Sequence, residues 1–379
     1  MEPFLTTHTG SLPRPSELAD LLFDREDGKQ TDGFEEGVRQ AVEATVRRQV
    51  DAGVDVVNDG EMSKIGYSTY VARRLTGFGP PPSEIRRSRP GLSDEFGDFA
   101  PFGTGSRGFS YTRSNACIGD VKVADAESVH TDVANLKAAA DASGASQLFM
   151  TAASPGVISY FLPNFHYPSR EEYLAALVEA MRPEYRAIVD AGITLQLDCP
   201  DLAMTRGAYG SLEEFRRVAA ENVEALNEAV AGLPPERLRV HLCWGNLEAP
   251  HTNDVELTDV IDLVLRTVPA GISLEGCNPR HGHEWQVFED VKLPDDRYLI
   301  PGVIDSTTNF VEHPDLVAQR LERYAGVVGP ERVMAGTDCG FGTFTGVGRV
   351  APSVTWAKLA TMAEGARRAA ARLSSSGAG

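Results

Sequence analysis

A chain of 379 residues with 42% hydrophobic content has ample material for a large core, and none of its apolar runs approaches the roughly 18–20 residues that span a bilayer. Its net charge of −18 argues against a nucleic-acid or anionic-membrane surface, because neutralising phosphates takes clustered Lys and Arg. Cys117, Cys199, Cys243, Cys277 and Cys339 are widely spaced with no CxxC pair, which fits a reducing compartment better than a disulfide framework, and the N-terminus lacks a signal peptide's basic start and apolar centre, so a cytoplasmic enzyme is expected.

In chain order, strand-like runs fall at Phe4–Ser11, Val54–Asp59, Gln147–Ala152, Ile193–Asp198, Leu238–Cys243, Ile272–Glu275, Tyr298–Asp305 and Val333–Asp338. Amphipathic stretches at Gly37–Ala52, Ser169–Ala191, Ser211–Val230, His313–Val328 and Ser353–Leu373 read as helices between them. Two open with S-x-x-E, at Ser169…Glu172 and Ser211…Glu214, the pattern in which serine and carboxylate satisfy first-turn amides. About eight strands alternating with helices predict an α/β chain folded as one (β/α)8 barrel over residues 1–379, although an open doubly wound sheet gives a similar alternation. Residues 75–116, rich in Gly, Pro, Ser and Arg, interrupt the rhythm after the second strand. They read as an irregular insertion able to serve as a lid, running into a short hairpin near Cys117–Ala124. The last residues, from Ser374, read as a solvated tail.

The chemistry gathers at strand ends. His241 and Cys243 lie two residues apart, so a strand points both to one face. Glu275 places a bare carboxylate at the end of a buried run, where it needs a cation or a proton. Cys339 follows another strand in Thr337-Asp338-Cys339-Gly340. Thiolate and imidazole donors suit zinc, and a parallel barrel collects ligands at its C-terminal face. Cys277 competes with Glu275 as a ligand. Cys199 reads as packing, and His281 and His283 as solvated groups near the mouth, with a substrate contact as the alternative.

These elements, H-x-C, then E, then C, resemble the catalytic barrel of cobalamin-independent methionine synthase. Thr6-Thr7-His8-Thr9-Gly10-Ser11-Leu12-Pro13 resembles the family's opening T-T-x-G-S-x-P. Asn58-Asp59-Gly60-Glu61 stands for its H-G-E, Leu195-Gln196-Leu197-Asp198 for its Q-I-D, Gly302-Val303-Ile304-Asp305 for its G-V-Y-D, and Asp338-Cys339-Gly340 for the site of its last ligand. The resemblance implies zinc on His241, Cys243, Glu275 and Cys339, with the amino-acid end of homocysteine on Ser11, Glu61 and Asp198. It also implies a barrel of the kind shared with uroporphyrinogen decarboxylase. Three departures stand out. The family's larger members carry a second barrel that is not matched here. Thr307 replaces a histidine implicated in proton transfer. The folate-facing tryptophan has no counterpart, and Tyr160 or Phe161 can stack in its place.

The expected activity is a zinc-dependent transfer of a methyl group to a thiol, with homocysteine as the simplest acceptor. The alternative joins a thiol to an epoxide or other activated carbon, as epoxyalkane:coenzyme M transferases do. The partners are then a small thiol and a methyl or alkyl donor, and the sequence also allows a homo-oligomer. A leaving nitrogen needs a proton, for which Asp305, Asp338, His8 or His283 are candidates, with Thr307 beside them. An epoxide oxygen would look to Tyr67, Tyr160 or a histidine. A metal-free decarboxylase and a metal store are the other readings, and the intact ligand set counts against both.

Overall fold

The computed structural model describes residues 4–82 and 115–376. The strands in chain order are β1 (Val56–Val57), β2 (Phe78–Gly79), β3 (Ala116–Cys117), β4 (Gln147–Ala153), β5 (Thr194–Asp198), β6 (Leu238–His241), β7 (Gly271–Leu274), β8 (Tyr298–Ile304) and β9 (Gly336–Thr337). Seven of them form one sheet in the order β1-β4-β5-β6-β7-β8-β9, with every pairing parallel. Strands successive in that sheet are joined by segments carrying helices, including Arg170–Asp190 between β5 and its predecessor and Leu212–Ala229 before β6. That is how a parallel sheet must be connected.

The sheet curls until its two edges face one segment. Thr7 N donates to Ala335 O at 2.8 Å and Ala335 N to Leu5 O at 2.8 Å, just before β9, while Val56 N donates to Thr6 O at 3.0 Å at the start of β1. The expected first strand, Phe4–Ser11, is therefore present only as a single parallel bridge, Thr6 to Ala335, and the sheet has seven strands rather than eight. The backbone explains the shortening. Phe4 (φ 63°) and Gly10 (φ 138°) are left-handed and break the extended run at both ends.

The helices form where the periodicity places them, as Phe34–Asp51, Arg170–Asp190, Leu212–Ala229, Pro314–Val328 and Pro352–Ser376. Ser169 and Ser211 cap theirs by accepting from Glu172 N (3.2 Å) and Glu214 N (3.1 Å). The Glu214 carboxylate turns to Gly210 N, one residue before the cap. The last helix runs on to Ser376, into the expected tail, and Ser374 and Ser375 return their hydroxyls to carbonyls of the preceding turn. The expected hairpin near Cys117–Ala124 is instead a pairing of the two ends of the insertion, β2 with β3 and Leu75 with Val123. The body of the expected lid, residues 83–114, lies outside the described residues. No helix among the described residues is long and apolar enough to cross a membrane.

The interior of the curled sheet is layered. Val56, Phe149, Ile300 and Met334 form their own apolar cluster, and the Arg239 guanidinium sits 3.6 Å over the Phe149 ring, bonded to Gln196, Thr7 and His8. Side chains two residues further along a strand share its face. The next layer toward the strand C-termini thus carries Asn58, Thr151, Asp198 and His241. The polar chemistry begins there.

Candidate active site

His241, Cys243 and Cys339 each bring a ligand atom to within 4.8 Å of the others, and all three are buried. The two sulfurs are 3.4 Å apart. His241 Nδ1 lies 3.2 Å from Ser273 Oγ, a contact that orients the ring, and Nε2 is buried without a partner among the described residues. Burial and the nearby Arg239 push the imidazole pKa down to about 3, so it stays neutral. The Cys339 contact and burial raise the Cys243 thiol well above its ordinary value. Contact with Cys243 lowers Cys339, yet burial and the Glu275 charge carry it above the ordinary value too. Two thiols and an imidazole nitrogen without a hydrogen bond, converging among buried residues, form a donor set that suits a metal ion.

Glu275 stands beside this trio rather than in it. Its oxygens accept from Trp244 N (2.7 Å) and Asn278 Nδ2 (2.7 Å), and burial with the Asp338 charge pushes its pKa up to about 7. Asp338 acts as a staple. It accepts from Gly276 N (2.8 Å), Cys277 N (3.0 Å), Asn278 N (2.9 Å) and Asn278 Nδ2 (3.1 Å), tying the loop after β7 to the residue before Cys339. Cys277 stays outside the ligand group, its amide on Asp338 and its carbonyl on Arg320, and Cys199 is buried packing.

The expected substrate carboxylates lie on the same interior. Glu61 (φ 59°) follows the turn after β1; its Oε1 accepts from Thr151 Oγ1 at 2.9 Å, and its Oε2 is buried without a hydrogen bond, with Arg14 at 4.0 Å. Asp198 ends β5, where burial and the Glu61 charge push its pKa up to about 8. Arg14 and the buried Lys64, which donates to Thr151 O at 2.6 Å, offset part of this negative charge. Ser11 is buried against Gly340, next to Cys339: a Cβ on Gly340 would collide with its Oγ, and Phe341 N donates to its carbonyl at 2.8 Å. Tyr160 is half-buried and meets Phe161 edge-on at 5.3 Å. Tyr67 packs on Phe161 and Phe344 (5.8 and 5.3 Å) close enough to Cys243, Cys339 and Asp198 to feel their charges.

Asp305 and Thr307 are joined to each other. The Asp305 carboxylate accepts from Thr307 N (2.9 Å), Thr307 Oγ1 (2.8 Å), Thr308 N (3.0 Å) and the Thr308 hydroxyl. Burial raises its pKa, but these donors outweigh burial and hold it below the ordinary value, which suits a loop anchor better than an acid. His281 is not solvated as expected. It is buried, stacks on Trp244 at 4.3 Å and lies 3.0 Å from both Asp254 and Glu284. Burial opposes its charge, but those two carboxylates raise its pKa to about 10. His283 is exposed, as expected. Sequence reading missed Ser273, Asn278 and Trp244, whose only signal was lying within three residues of a candidate ligand. It also missed Asn246, which bonds Gly340 O (2.9 Å) and accepts from Ser306 (2.7 Å), tying three loops together.

A model of the catalytic domain of cobalamin-independent synthases matches residues 4–85. The methionine synthase of Saccharolobus solfataricus is 24% identical over 367 residues, covering 96% of this chain and 93% of that protein. That of Sulfolobus acidocaldarius is 25% identical over 341 residues, covering 88% and 85%. The chain is thus similar to the catalytic domain of cobalamin-independent synthases over its first residues and to methionine synthases over most of its length. Among solved structures, a B12-independent methionine synthase from Shewanella sp. W3-18-1, in complex with selenomethionine, superposes with a TM-score of 0.74 at 21% identity, covering 98% of this chain and 99% of that one. A putative vitamin-B12 independent methionine synthase from Listeria monocytogenes gives 0.65 at 18%, covering 97% and 98%. These likenesses fix the α/β fold with its curled parallel sheet. The methionine synthases named above are matched across most of their length.

Proposed function

We propose that this chain is a zinc-dependent transferase that activates a thiol, homocysteine or a close analogue, and methylates it in the cytoplasm. We read its curled sheet as a (β/α)8 barrel of the methionine synthase kind, with the segment around Thr6 closing the ring. The observation that carries the proposal is the buried convergence of His241, Cys243 and Cys339 with an unpaired His241 Nε2. Those three residues would hold the metal, with Glu275 as the fourth donor. The Trp244 amide and Asn278 hold the Glu275 carboxylate beside the trio and would orient it toward a bound ion. A bound zinc supplies a lowered thiol pKa, so that the substrate sulfur is a thiolate at neutral pH.

The protein's own groups do the rest. Glu61 and Asp198 hold an α-ammonium, and Ser11 takes an α-carboxylate. Selenomethionine in the Shewanella relative is an amino acid of the size this arrangement would hold. Fixing sulfur and amino-acid end at once aims the nucleophile at the donor carbon. A second reading, addition of the thiol to an epoxide, draws on Tyr67, whose hydroxyl lies near the thiols and keeps its proton because burial raises its pKa well above the ordinary value.

Metal analysis tests the proposal together with Cys339→Ser: zinc near stoichiometric in the wild type and lost in the variant is expected, and a zinc-free wild type sinks it. Turnover with homocysteine and a panel of thiols, crossed with methylfolate, methylcobalamin and epoxides, then assigns both partners. Reaction with sulfonate or peptide thiols but not amino-acid thiols would overturn the roles of Glu61 and Asp198.

A further inference from the structure

Asn58 follows β1 on the interior face, one layer above Val56, and is fully buried. Its Oδ1 accepts from Gly60 N at 2.9 Å, which fixes the amide and decides which end is nitrogen. Its backbone is clamped as well, with Asn58 N donating to Gln49 Oε1 (2.9 Å) and Gln49 Nε2 to Asn58 O (2.7 Å). The side chain is therefore aimed, yet Nδ2 has no partner among the described residues. Three residues on, Glu61 Oε2 is an equally buried acceptor without a hydrogen bond.

The two groups meet around Gly10. A Cβ placed there would lie 3.0 Å from Glu61 Oε1, 3.4 Å from Asn58 Nδ2 and 2.5 Å from Thr151 Cγ2, and φ is +138°. Only glycine leaves that space and adopts that backbone comfortably. A fixed buried donor and a fixed buried acceptor, neither with a hydrogen bond among the described residues and the acceptor backed only by Arg14 at 4.0 Å, are costly unless a ligand supplies the complement of each. A lone amine satisfies the acceptor and leaves the donor empty. An amino acid carries an ammonium and a carboxylate on neighbouring carbons and satisfies both.

We propose that Asn58 is a substrate-recognition residue whose amide donates to the α-carboxylate of an amino-acid thiol while Glu61 and Asp198 hold its ammonium. This rests on the amino-acid-thiol reading above and sharpens it. Ser11, which follows Gly10, flanks the same turn and shares the carboxylate with Asn58. Thiols lacking a carboxylate gain nothing from Asn58, so it sets selectivity for the zwitterion.

The test is calorimetric binding to the zinc-loaded protein of L-homocysteine and of its analogue lacking the carboxylate. Asn58→Asp keeps the acceptor for Gly60 N and replaces the donor with a charge. It should weaken homocysteine about 10- to 100-fold, in line with loss of a charge-assisted hydrogen bond. The amine analogue should bind unchanged or tighter. Asn58→Ser, which also lacks the amide, should show the same selective loss and serves if the first variant does not fold. Equal weakening of both ligands would mark Asn58 as a structural residue and overturn the proposal, as would no change in either. A wild type that binds neither ligand removes the amino-acid reading itself and this assignment with it. A wild type that prefers homocysteine, with variants that keep the preference, overturns the assignment alone.

Discussion

Zinc binding should release a number of protons that reports which residues are ligands. In the metal-free protein the Cys243 and Cys339 thiols both lie above their ordinary pKa, while His241 is already neutral, its pKa near 3. Only deprotonated thiols and a neutral imidazole bind zinc, so between about pH 6 and 8 the two cysteines lose one proton each and His241 none. Affinity should then rise about 100-fold per pH unit, or about 2.7 kcal/mol. Glu275 adds a further step. Its pKa near 7 means that at pH 6 it is mostly protonated and must lose that proton to join the metal. The count should therefore approach about three protons at pH 6 and fall to about two at pH 8. Calorimetry in buffers of different ionisation enthalpy measures the count directly, and competition with a chromophoric chelator measures the slope. A count of one or fewer at pH 8 would refute the pairing of Cys243 with Cys339 as ligands. A count that stays at two down to pH 6 would remove Glu275 from the ligand set and leave the other three.

Ser273→Ala removes the group that orients His241 and should weaken zinc about 10- to 100-fold in chelator competition, with an unchanged circular dichroism spectrum. Asp338→Asn leaves some of four donors, three of them backbone amides, without an acceptor; chemical denaturation should show a loss of about 2–4 kcal/mol, and a loss under 0.5 kcal/mol would refute the staple. In Glu61→Gln, Asp198 keeps its burial but loses a neighbouring negative charge, so its pKa falls from about 8. The ionisation that creates its ammonium-binding form then occurs at lower pH, and the pH profile of homocysteine binding should shift to the acid side while the affinity at high pH falls. Tyr67→Phe should lower kcat about 100-fold or more with a donor whose leaving group needs a proton, leaving thiol binding unchanged; equal rates would clear Tyr67 of proton donation.

The parts legible in the sequence are those fixed by short-range periodicity. Every expected strand from Val54–Asp59 onward reappears within a few residues, because β-branched runs between capped amphipathic helices leave a parallel sheet little alternative. His241 and Cys243 were legible together because two residues along a strand means one face. The segment around Thr6 was not, since its extended look is cut by positive φ at Phe4 and Gly10 and its pairing partners lie about fifty and over three hundred residues away. His281 misled for a related reason. In sequence it sits in a Gly/Pro loop, and only the fold brings Asp254 from before β7 to bury it as a cation.

The nucleophile's half of the site was also more legible than the electrophile's, and the structure supplies a physical cause. Asp198 and His241, proposed to serve the acceptor's side, end β5 and β6, and Cys243 follows two residues on, where side-chain direction follows from the alternation of the backbone. The groups that would face a donor stand on loops after β8 and β9 and around Tyr67, where direction depends on contacts such as Asp305 with Thr307 and Asn246 with Gly340. Asp305 shows what that costs a sequence reading. Its place at a strand end suggested an acid, yet four loop donors keep it ionised and give it the work of shaping the turn. Thr307, which the resemblance sets against a histidine, is one of those donors and braces the same loop. Variation in donor use within such a fold can therefore be carried by loop residues, while the thiol-holding strand ends stay as they are.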